Sequence, residues 1–67
     1  RCNAIALEMI EGDMTSVLSD KFIEPTLRYI PLERFGKVEE VAETAVFLAE
    51  NDYITGQVIP VDGGMTI

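Results

Sequence analysis

The first half of the chain contains two apolar patterns, one that predicts a strand and one that predicts helical structure. Residues 2–7 are short and mostly apolar without alternation, which is typical of a strand buried on both faces of a parallel sheet. Residues 15–30 have a helical pattern, but Pro25 removes a backbone donor and predicts two short helices or one kinked helix. Thr15 or Ser16 is a candidate cap for the first piece, and Ser19 for the second.

The strongest periodicity runs from residue 38 to about residue 50. Apolar residues recur there at i, i+3, i+4, i+7, i+8 and i+11, which predicts an amphipathic helix. These residues are Val38, Val41, Ala42, Ala45, Val46 and Ala49. Glu39 and Glu40 fall in the first turn, where the helix dipole favours negative charge. Together with Glu43 they are better interpreted as a solvated helix face than as a metal or proton-transfer cluster.

The last apolar run, residues 57–61, predicts a second strand that ends in the turn Asp62-Gly63-Gly64. Pro60 cannot donate to a sheet ladder, so this strand is expected at a sheet edge or with that position facing outward. The order strand, helices, strand predicts an α/β fold with a right-handed crossover between parallel neighbours. Two strands alone do not make a stable parallel sheet, so further strands are expected from elsewhere.

Composition narrows the classes of function. A chain of 67 residues buries only about 60% of its unfolded surface, and one cysteine with no histidine offers no disulfide or histidine-bound metal as compensation. The net charge of −7 disfavours binding to nucleic acid or to anionic membranes. No apolar run approaches the roughly 20 residues that span a bilayer. We interpret Cys2 as a small core residue and expect a soluble protein of the cytoplasm or of a reducing organelle lumen.

Three ordered stretches resemble the C-terminal region of the short-chain dehydrogenase/reductase family, most closely its 3-oxoacyl-[acyl-carrier-protein] reductases. They are NAIA with IEGDMT at residues 3–6 and 10–15, IPLERFG at residues 30–36, and YITGQ with VDGG at residues 53–57 and 61–64. The resemblance implies that residues 1–67 are the C-terminal part of a single doubly wound Rossmann domain. They would supply its penultimate strand, substrate-lid helices, last helix and last strand, with the remainder of the domain as partner.

The same resemblance implies an NADP- or NAD-dependent oxidoreductase of fatty acid biosynthesis that assembles as a homotetramer through its last helix and last strand. On this sequence the loop beside the nicotinamide is residues 7–15, and Ile10 is the position whose main chain meets the cofactor carboxamide. Gly12 is the first residue of the segment that covers the cofactor phosphates and leads into the substrate lid. A plain connector between strand and helix is the alternative interpretation of this loop.

Several positions depart from the family pattern or carry other roles. Leu7 and Glu8 stand where the family typically has Pro-Gly, so Glu8 places an acid near a phosphate-bearing ligand. Gly12 replaces a usual threonine, and Val38 replaces a common proline at the first helical position. Met9 and Met14 are candidates for the edge of an acyl-substrate pocket, although gap-filling in the core or the lid is the alternative.

The residues of the family's reaction are missing from this sequence. The reaction uses a tyrosine followed four residues later by lysine, but Tyr29 is followed at that spacing by Glu33, and Tyr53 by Gln57. We therefore assign no catalytic residue or metal ligand and expect no activity from the chain alone. An oligomerisation or interaction module derived from this fold, and a degenerate relative without cofactor binding, remain as alternative functions.

Overall fold

The computed structural model describes residues 1–12 and 20–66. Within them the order is strand β1 (Ala4–Leu7), helix α1 (Asp20–Leu27), helix α2 (Val38–Glu50) and strand β2 (Val58–Val61). The candidate caps Thr15, Ser16 and Ser19 and the candidate substrate residue Met14 lie outside the described residues. No helix in the described ranges is long and apolar enough to cross a membrane.

The two strands pair in parallel, as predicted, with Ala4 opposite Val58 and Leu7 opposite Val61. At the two ends of the pairing, the Ala4 amide donates to the Gln57 carbonyl at 2.8 Å and the Glu8 amide to the Val61 carbonyl at 3.3 Å. Successive residues of a strand direct their peptide groups to opposite sides, so the even-numbered residues of β1 bond to β2. The amides of the odd-numbered residues, 5 and 7, therefore face the other edge of β1.

Pro60 lies opposite Ala6 in this register. The alternation that directs the Ala6 amide to β2 also directs the ring nitrogen of Pro60 away from β1. A proline at this position costs the ladder no hydrogen bond, which confirms the predicted outward-facing edge position. The open edge of β2 is thus poor in donors, whereas that of β1 keeps them.

The start of β1 is tied to the connector between α2 and β2 by side chains. The Asn3 side chain donates to the Ile54 carbonyl at 3.1 Å, and its Oδ1 accepts the Gln57 amide at 3.0 Å. Arg1 donates to two carbonyls of the last turn of α2, at 2.9 and 3.0 Å. A cation is favourable there because the carbonyl end of a helix carries partial negative charge.

Helix α2 has the predicted bounds, but none of its predicted stripe residues is buried: Val41 is partly exposed and the other five are exposed. The buried residue of α2 is Leu48, which lies outside the predicted stripe, whereas Val38 and Val46 are each 54% exposed. The stripe of 3.6-residue periodicity is broader than the surface that a two-stranded sheet can cover, so most of it stays in solvent.

Helix α1 continues through Pro25, so in residues 20–27 the proline does not separate two helices. It removes only the bond that its amide would have made to the carbonyl four residues earlier. After Leu27 the chain tightens into successive turns: the Tyr29 amide donates to Thr26 at 3.0 Å and the Ile30 amide to Leu27 at 3.2 Å. These turns deliver Ile30 to the interior.

Burial is confined to a few described side chains, of which the apolar ones are Ile30, 1% exposed, and Leu48, 7% exposed. The prediction that β1 is buried on both faces is wrong for this chain: Leu7 is 48% exposed, and β2 and α2 are the described elements that lie against β1. Cys2 is also exposed rather than in the core. The radius of gyration of 13.6 Å exceeds the value of about 11 Å for a compact domain of this length.

Gly63 generates the first testable prediction. Its φ is +63°, and a Cβ placed on it would lie 2.6 Å from Cγ2 of the buried Ile30. Gly63→Ala should lower the free energy of unfolding by about 2–5 kcal/mol, because left-handed strain adds to an overpacked core.

Gly56 provides the matched control, since its φ is +72° but no described heavy atom lies within 4 Å of the position that a Cβ would take there. Gly56→Ala should therefore cost only the strain, about 1–2 kcal/mol. Denaturant unfolding of the folded protein measures both values. Equal losses for the two variants would contradict the role assigned to the Gly63–Ile30 contact.

Candidate functional site

A cleft of about 610 Å³ opens where the carboxyl ends of β1 and β2 meet. It lies between the segment after β1, the turns that follow α1, the first half of α2 and the turn after β2. The lining residues are Glu8, Met9, Ile10, Pro31, Leu32, Arg34, Gly36, Glu40, Glu43, Thr44, Ile59, Pro60, Val61, Asp62, Gly63 and Gly64. The carboxyl ends of parallel strands are the usual place for a ligand in an open α/β sheet.

The segment after β1 is held by Gly36 through a single parallel bridge. The Gly36 amide donates to the Met9 carbonyl at 3.0 Å, and the Glu11 amide donates to the Gly36 carbonyl at 2.8 Å. These two bonds straddle Ile10, so the N–H and C=O of Ile10 face away from Gly36. Among the described residues neither group has a hydrogen-bond partner.

Gly36 lies close against the Ile10 side chain. A Cβ there would lie 2.7 Å from Cδ1 of Ile10, so the end of the Ile10 side chain would have to move to admit one. Met9, on the other side of Ile10, has a φ of 55°, a left-handed conformation that is uncommon for a residue with a side chain. The path of the chain through Ile10 is therefore set by its neighbours and by the close approach of Gly36.

Arg34 and Glu40 form a two-pronged ion pair at the rim of the cleft. Nη1 donates to Oε1 at 2.8 Å and Nη2 to Oε2 at 2.9 Å. Oε1 of Glu40 also accepts the Lys37 amide at 2.9 Å, which satisfies one of the free donors at the start of α2. Hydrogen bonds from Arg34 and from the Lys37 backbone lower the pKa of Glu40 to about 2. The Glu40 partner in turn raises the pKa of Arg34, with a smaller contribution from the charge of Glu11.

Asp62 closes the turn after β2. It is 8% exposed, and its carboxylate accepts the Gly64 amide at 2.9 Å and the Thr66 hydroxyl at 2.6 Å. These bonds, that from Thr66 above all, lower the pKa of Asp62. With both oxygens engaged inside the turn, Asp62 is a structural acid of the cleft wall.

The structure brings three of the sequence-predicted site residues together, since Glu8, Met9 and Ile10 all line the cleft. Leu7 ends β1 just before them, whereas Gly12 is exposed beyond the bridge and outside the lining. The two tyrosines, which the sequence excludes as catalytic residues, lie outside the cleft lining, with Tyr29 76% exposed and Tyr53 92% exposed.

Sequence reasoning missed Gly36, Arg34 and Glu40 as parts of the site. Glu40 was assigned to a solvated helix face, but it is paired and lines the cleft. Its position as the third residue of a helix whose cap, Lys37, has no acceptor side chain was the available signal. Gly36 gave no such signal, because its role depends on a contact with a residue 26 positions earlier.

The charge of the cleft limits what it can hold. Four carboxylates line it, on Glu8, Glu40, Glu43 and Asp62, against the single cation Arg34, which is already paired. Such a surface repels phosphate groups. The free N–H and C=O of Ile10 suit an uncharged group that both donates and accepts, such as a carboxamide.

A family of reductases and two proteins named as reductases resemble this chain in sequence. A family model described as enoyl-(acyl carrier protein) reductase matches residues 1–66. A 3-oxoacyl-[acyl-carrier-protein] reductase of Thermotoga maritima is 54% identical over 69 residues, which cover 100% of this chain and 28% of that protein. Carbonyl reductase family member 4 of Danio rerio is 46% identical over 67 residues, 100% of this chain and 27% of that protein.

A solved structure gives the same result. A crystal structure of a short-chain dehydrogenase/reductase from Brucella melitensis, described as a glucose/ribitol dehydrogenase, superposes with a TM-score of 0.89 at 35% identity. The match covers 100% of this chain and 28% of that one. The chain thus spans little more than a quarter of the length of the proteins that it resembles.

The ion pair yields a prediction with a defined pH dependence. A carboxylate whose pKa is lowered on folding stabilises the fold above its ordinary pKa near 4.5, and this contribution disappears as the pH falls towards about 2. Glu40→Gln should therefore lower the Tm only slightly at neutral pH, because the pair is open to solvent, and the difference from the unmodified protein should shrink between about pH 5 and pH 2.

Glu39→Gln is the control, because Glu39 lies in the same first turn and its side chain has no hydrogen-bonded partner in the described part of the chain. It changes the charge and the helix-dipole interaction in the same way without breaking the pair. Thermal unfolding of the folded protein across this pH range is the measurement. A loss for Glu39→Gln as large as that for Glu40→Gln would refute a specific role for the pair.

Proposed function

The chain belongs to the short-chain dehydrogenase/reductase family, and from this membership we propose that it is the C-terminal part of an NAD(P)H-dependent carbonyl reductase. The names of the relatives favour a 3-oxoacyl thioester, as handled in fatty acid biosynthesis, as the substrate class. In this proposal the chain contributes the wall of the nicotinamide site and not the proton-transfer residues.

The observation that carries the proposal is the orientation of the Ile10 main chain. Its N–H and C=O lie at the carboxyl end of β1, face away from Gly36, and have no partner among the described residues. We assign them to the carboxamide of the cofactor, which in its reduced form supplies a hydride to the substrate carbonyl. The acidic cleft supports an arrangement in which only the uncharged end of the cofactor approaches, with the phosphates outside the cleft.

The remaining site assignments follow the family pattern. Leu7 and Glu8 approach the cofactor from the end of β1, and Gly12 opens the segment that covers its phosphates. Met9, which lines the cleft, and Met14 are assigned to the substrate side. Ile10 binds and orients the nicotinamide ring, while these flanking residues shape the space on either side of it.

The two open edges of the sheet differ in hydrogen-bond donors, and this difference favours a further strand beside β1. Its outer edge keeps the amides of residues 5 and 7, whereas Pro60 withholds a donor from the outer edge of β2. We therefore propose that the remainder of a Rossmann domain pairs with β1 and leaves β2 at the edge.

An exposed apolar surface supports assembly as a second component of the function. Val38 and Val46 on α2 are 54% exposed, Phe47 is 55% exposed, and Val58 on β2 is 63% exposed. Exposed apolar side chains on the last helix and on the last strand favour contact with another subunit. We propose a homotetramer with this surface at an interface.

The proposed function predicts different activities for the short chain and for a longer polypeptide. The 67-residue chain should oxidise NADPH or NADH no faster than a blank with a 3-oxoacyl thioester, because it lacks the tyrosine-lysine pair. A polypeptide that carries this segment after a complete Rossmann half should show substrate-dependent oxidation. Activity of the short chain, or inactivity of the longer polypeptide with both cofactors, would count against the proposal.

A second prediction concerns the start of the loop. In the longer polypeptide, replacing Leu7→Pro and Glu8→Gly together should tighten NAD(P)H binding by about 1 kcal/mol, roughly a fivefold lower Kd, because a charge beside the cofactor is removed. The β1–β2 pairing keeps its hydrogen bonds in this variant, because the Leu7 amide faces away from β2 and glycine at position 8 keeps the amide that bonds to Val61. On the outer edge of β1 the variant loses the Leu7 donor and keeps that of Ile5, so Glu8→Gly alone is measured beside it.

Fluorescence titration of the cofactor at two salt concentrations measures the effect, which should be smaller at high salt. Glu8→Gln is the matched control, since it removes the charge and keeps the size of the side chain. If affinity is the same for all variants at both salt concentrations, this loop does not approach the cofactor and the assignment of Ile10 is wrong.

A further inference from the structure

We propose that the Arg34–Glu40 ion pair is a positioning device that fixes the Ile10 main chain in the orientation required by the cofactor carboxamide. The inference rests on the proposed function and adds residues to it that touch neither cofactor nor substrate. It is carried by a continuous series of contacts from the start of α2 to the segment after β1.

The first contact anchors the carboxylate. Glu40 is the third residue of α2, and its amide donates to the Lys37 carbonyl at 3.0 Å while its Oε1 accepts the Lys37 amide at 2.9 Å. Both the backbone and the carboxylate of Glu40 are thus bonded to the residue that begins the helix. It gives the Arg34 guanidinium a fixed, planar acceptor that both Nη atoms contact.

The second contact connects the guanidinium to the bridge. Nη1 of Arg34 also donates to the Phe35 carbonyl at 3.1 Å, which precedes the Gly36 amide. The contacts of Arg34 are thus with Glu40 and with the segment that carries Gly36.

The third contact is the bridge itself. Both the N–H and the C=O of Gly36 are used, by Met9 and by Glu11, so the orientation of the peptide groups on either side of Ile10 follows that of Gly36. No ladder extends this single bridge within the described residues. A lone pair of hydrogen bonds needs support from elsewhere to hold one orientation.

The segment before Arg34 is tied to the turn after β2 by one bond, from the Leu32 amide to the Gly63 carbonyl at 3.2 Å, but its side chains pack little. The residues just before Arg34 are exposed, with Leu32 64% exposed, and Glu33 has a φ of 57°. The ion pair is itself open to solvent, with the two side chains 49% and 40% exposed, so it adds little to global stability. Its two-pronged geometry is what it contributes, by restricting where residues 34–36 lie.

The test is carried out in the longer reductase polypeptide and uses charge changes of opposite sign. Arg34→Ala removes a cation, and Glu40→Gln removes an anion, yet both break the pair. Each should raise the Kd for NADPH or NADH roughly five- to tenfold with kcat nearly unchanged, and the double variant should lose no more than either single variant. Arg34→Lys should restore part of the affinity, because an ammonium keeps the charge without the planar fork.

A second readout does not depend on activity. In the cofactor-free protein, hydrogen exchange of the Glu11 and Gly36 amides should be about tenfold faster in both variants, since these are the bridge donors. Amides in the last turns of α2 should exchange as before. Arg28→Ala, which removes an exposed cation away from the cleft, should change neither the Kd nor the exchange.

The outcomes separate the two levels of the proposal. If the unmodified polypeptide binds neither cofactor, the proposed function fails, and the exchange rates alone decide whether the pair positions Ile10. If it binds but Glu40→Gln tightens binding while Arg34→Ala weakens it, Arg34 acts by its charge and the positioning role is overturned. Unchanged exchange at Glu11 and Gly36, or faster exchange throughout α2, would also overturn it.

Discussion

The parallel pairing of β1 with β2 is the constraint on which the rest of the structure depends. It joins the two ends of the described chain, with Ala4 opposite Val58, and so brings the segment after Leu7 beside the turn after Val61. In a parallel pair both of these segments leave the sheet at the same end. The register is reinforced by Asn3, whose amide side chain bonds to the connector on both sides of the Gly56 turn. The cleft forms because this pairing brings the segments after Leu7 and after Val61 side by side as two of its walls.

The sequence predicted the elements better than their environment. The bounds of α2, the second strand and the outward position of Pro60 follow from periodicity and from the chemistry of proline, which are local properties. Burial of β1 and of Cys2 was not predicted correctly, because burial depends on how many elements pack on a strand, and α2 and β2 are the described elements that do so here. An apolar pattern shows that a strand is suited to burial between other elements. It does not show whether those elements are present.

The same distinction applies to the candidate site. Glu8, Met9 and Ile10 were placed by resemblance, and they line the cleft. The contacts that orient Ile10 come from Gly36, and the close approach of its Cα to the Ile10 side chain links positions that are far apart in sequence. Glu40 shows a further limit: three acids in one helical turn and a half suggest a solvated face, yet one of them is held by a guanidinium and by a backbone amide. The charge pattern alone does not distinguish Glu40 from its neighbours, whereas its place as the third residue of the helix does.

The free hydrogen-bonding groups of the two strands determine on which side the sheet can be extended. One edge of the sheet is open to extension at residues 5 and 7, and the other is interrupted at Pro60, so additional strands are favoured beside β1. Extension on that side would cover β1, where Leu7 is now 48% exposed, and would leave the cleft at the carboxyl end of the widened sheet. Ile10 would then lie where two neighbouring strands end, with its peptide groups turned away from Gly36. The residues that orient Ile10 all belong to this chain, whereas the surface that would complete its ligand site belongs to whatever pairs with β1.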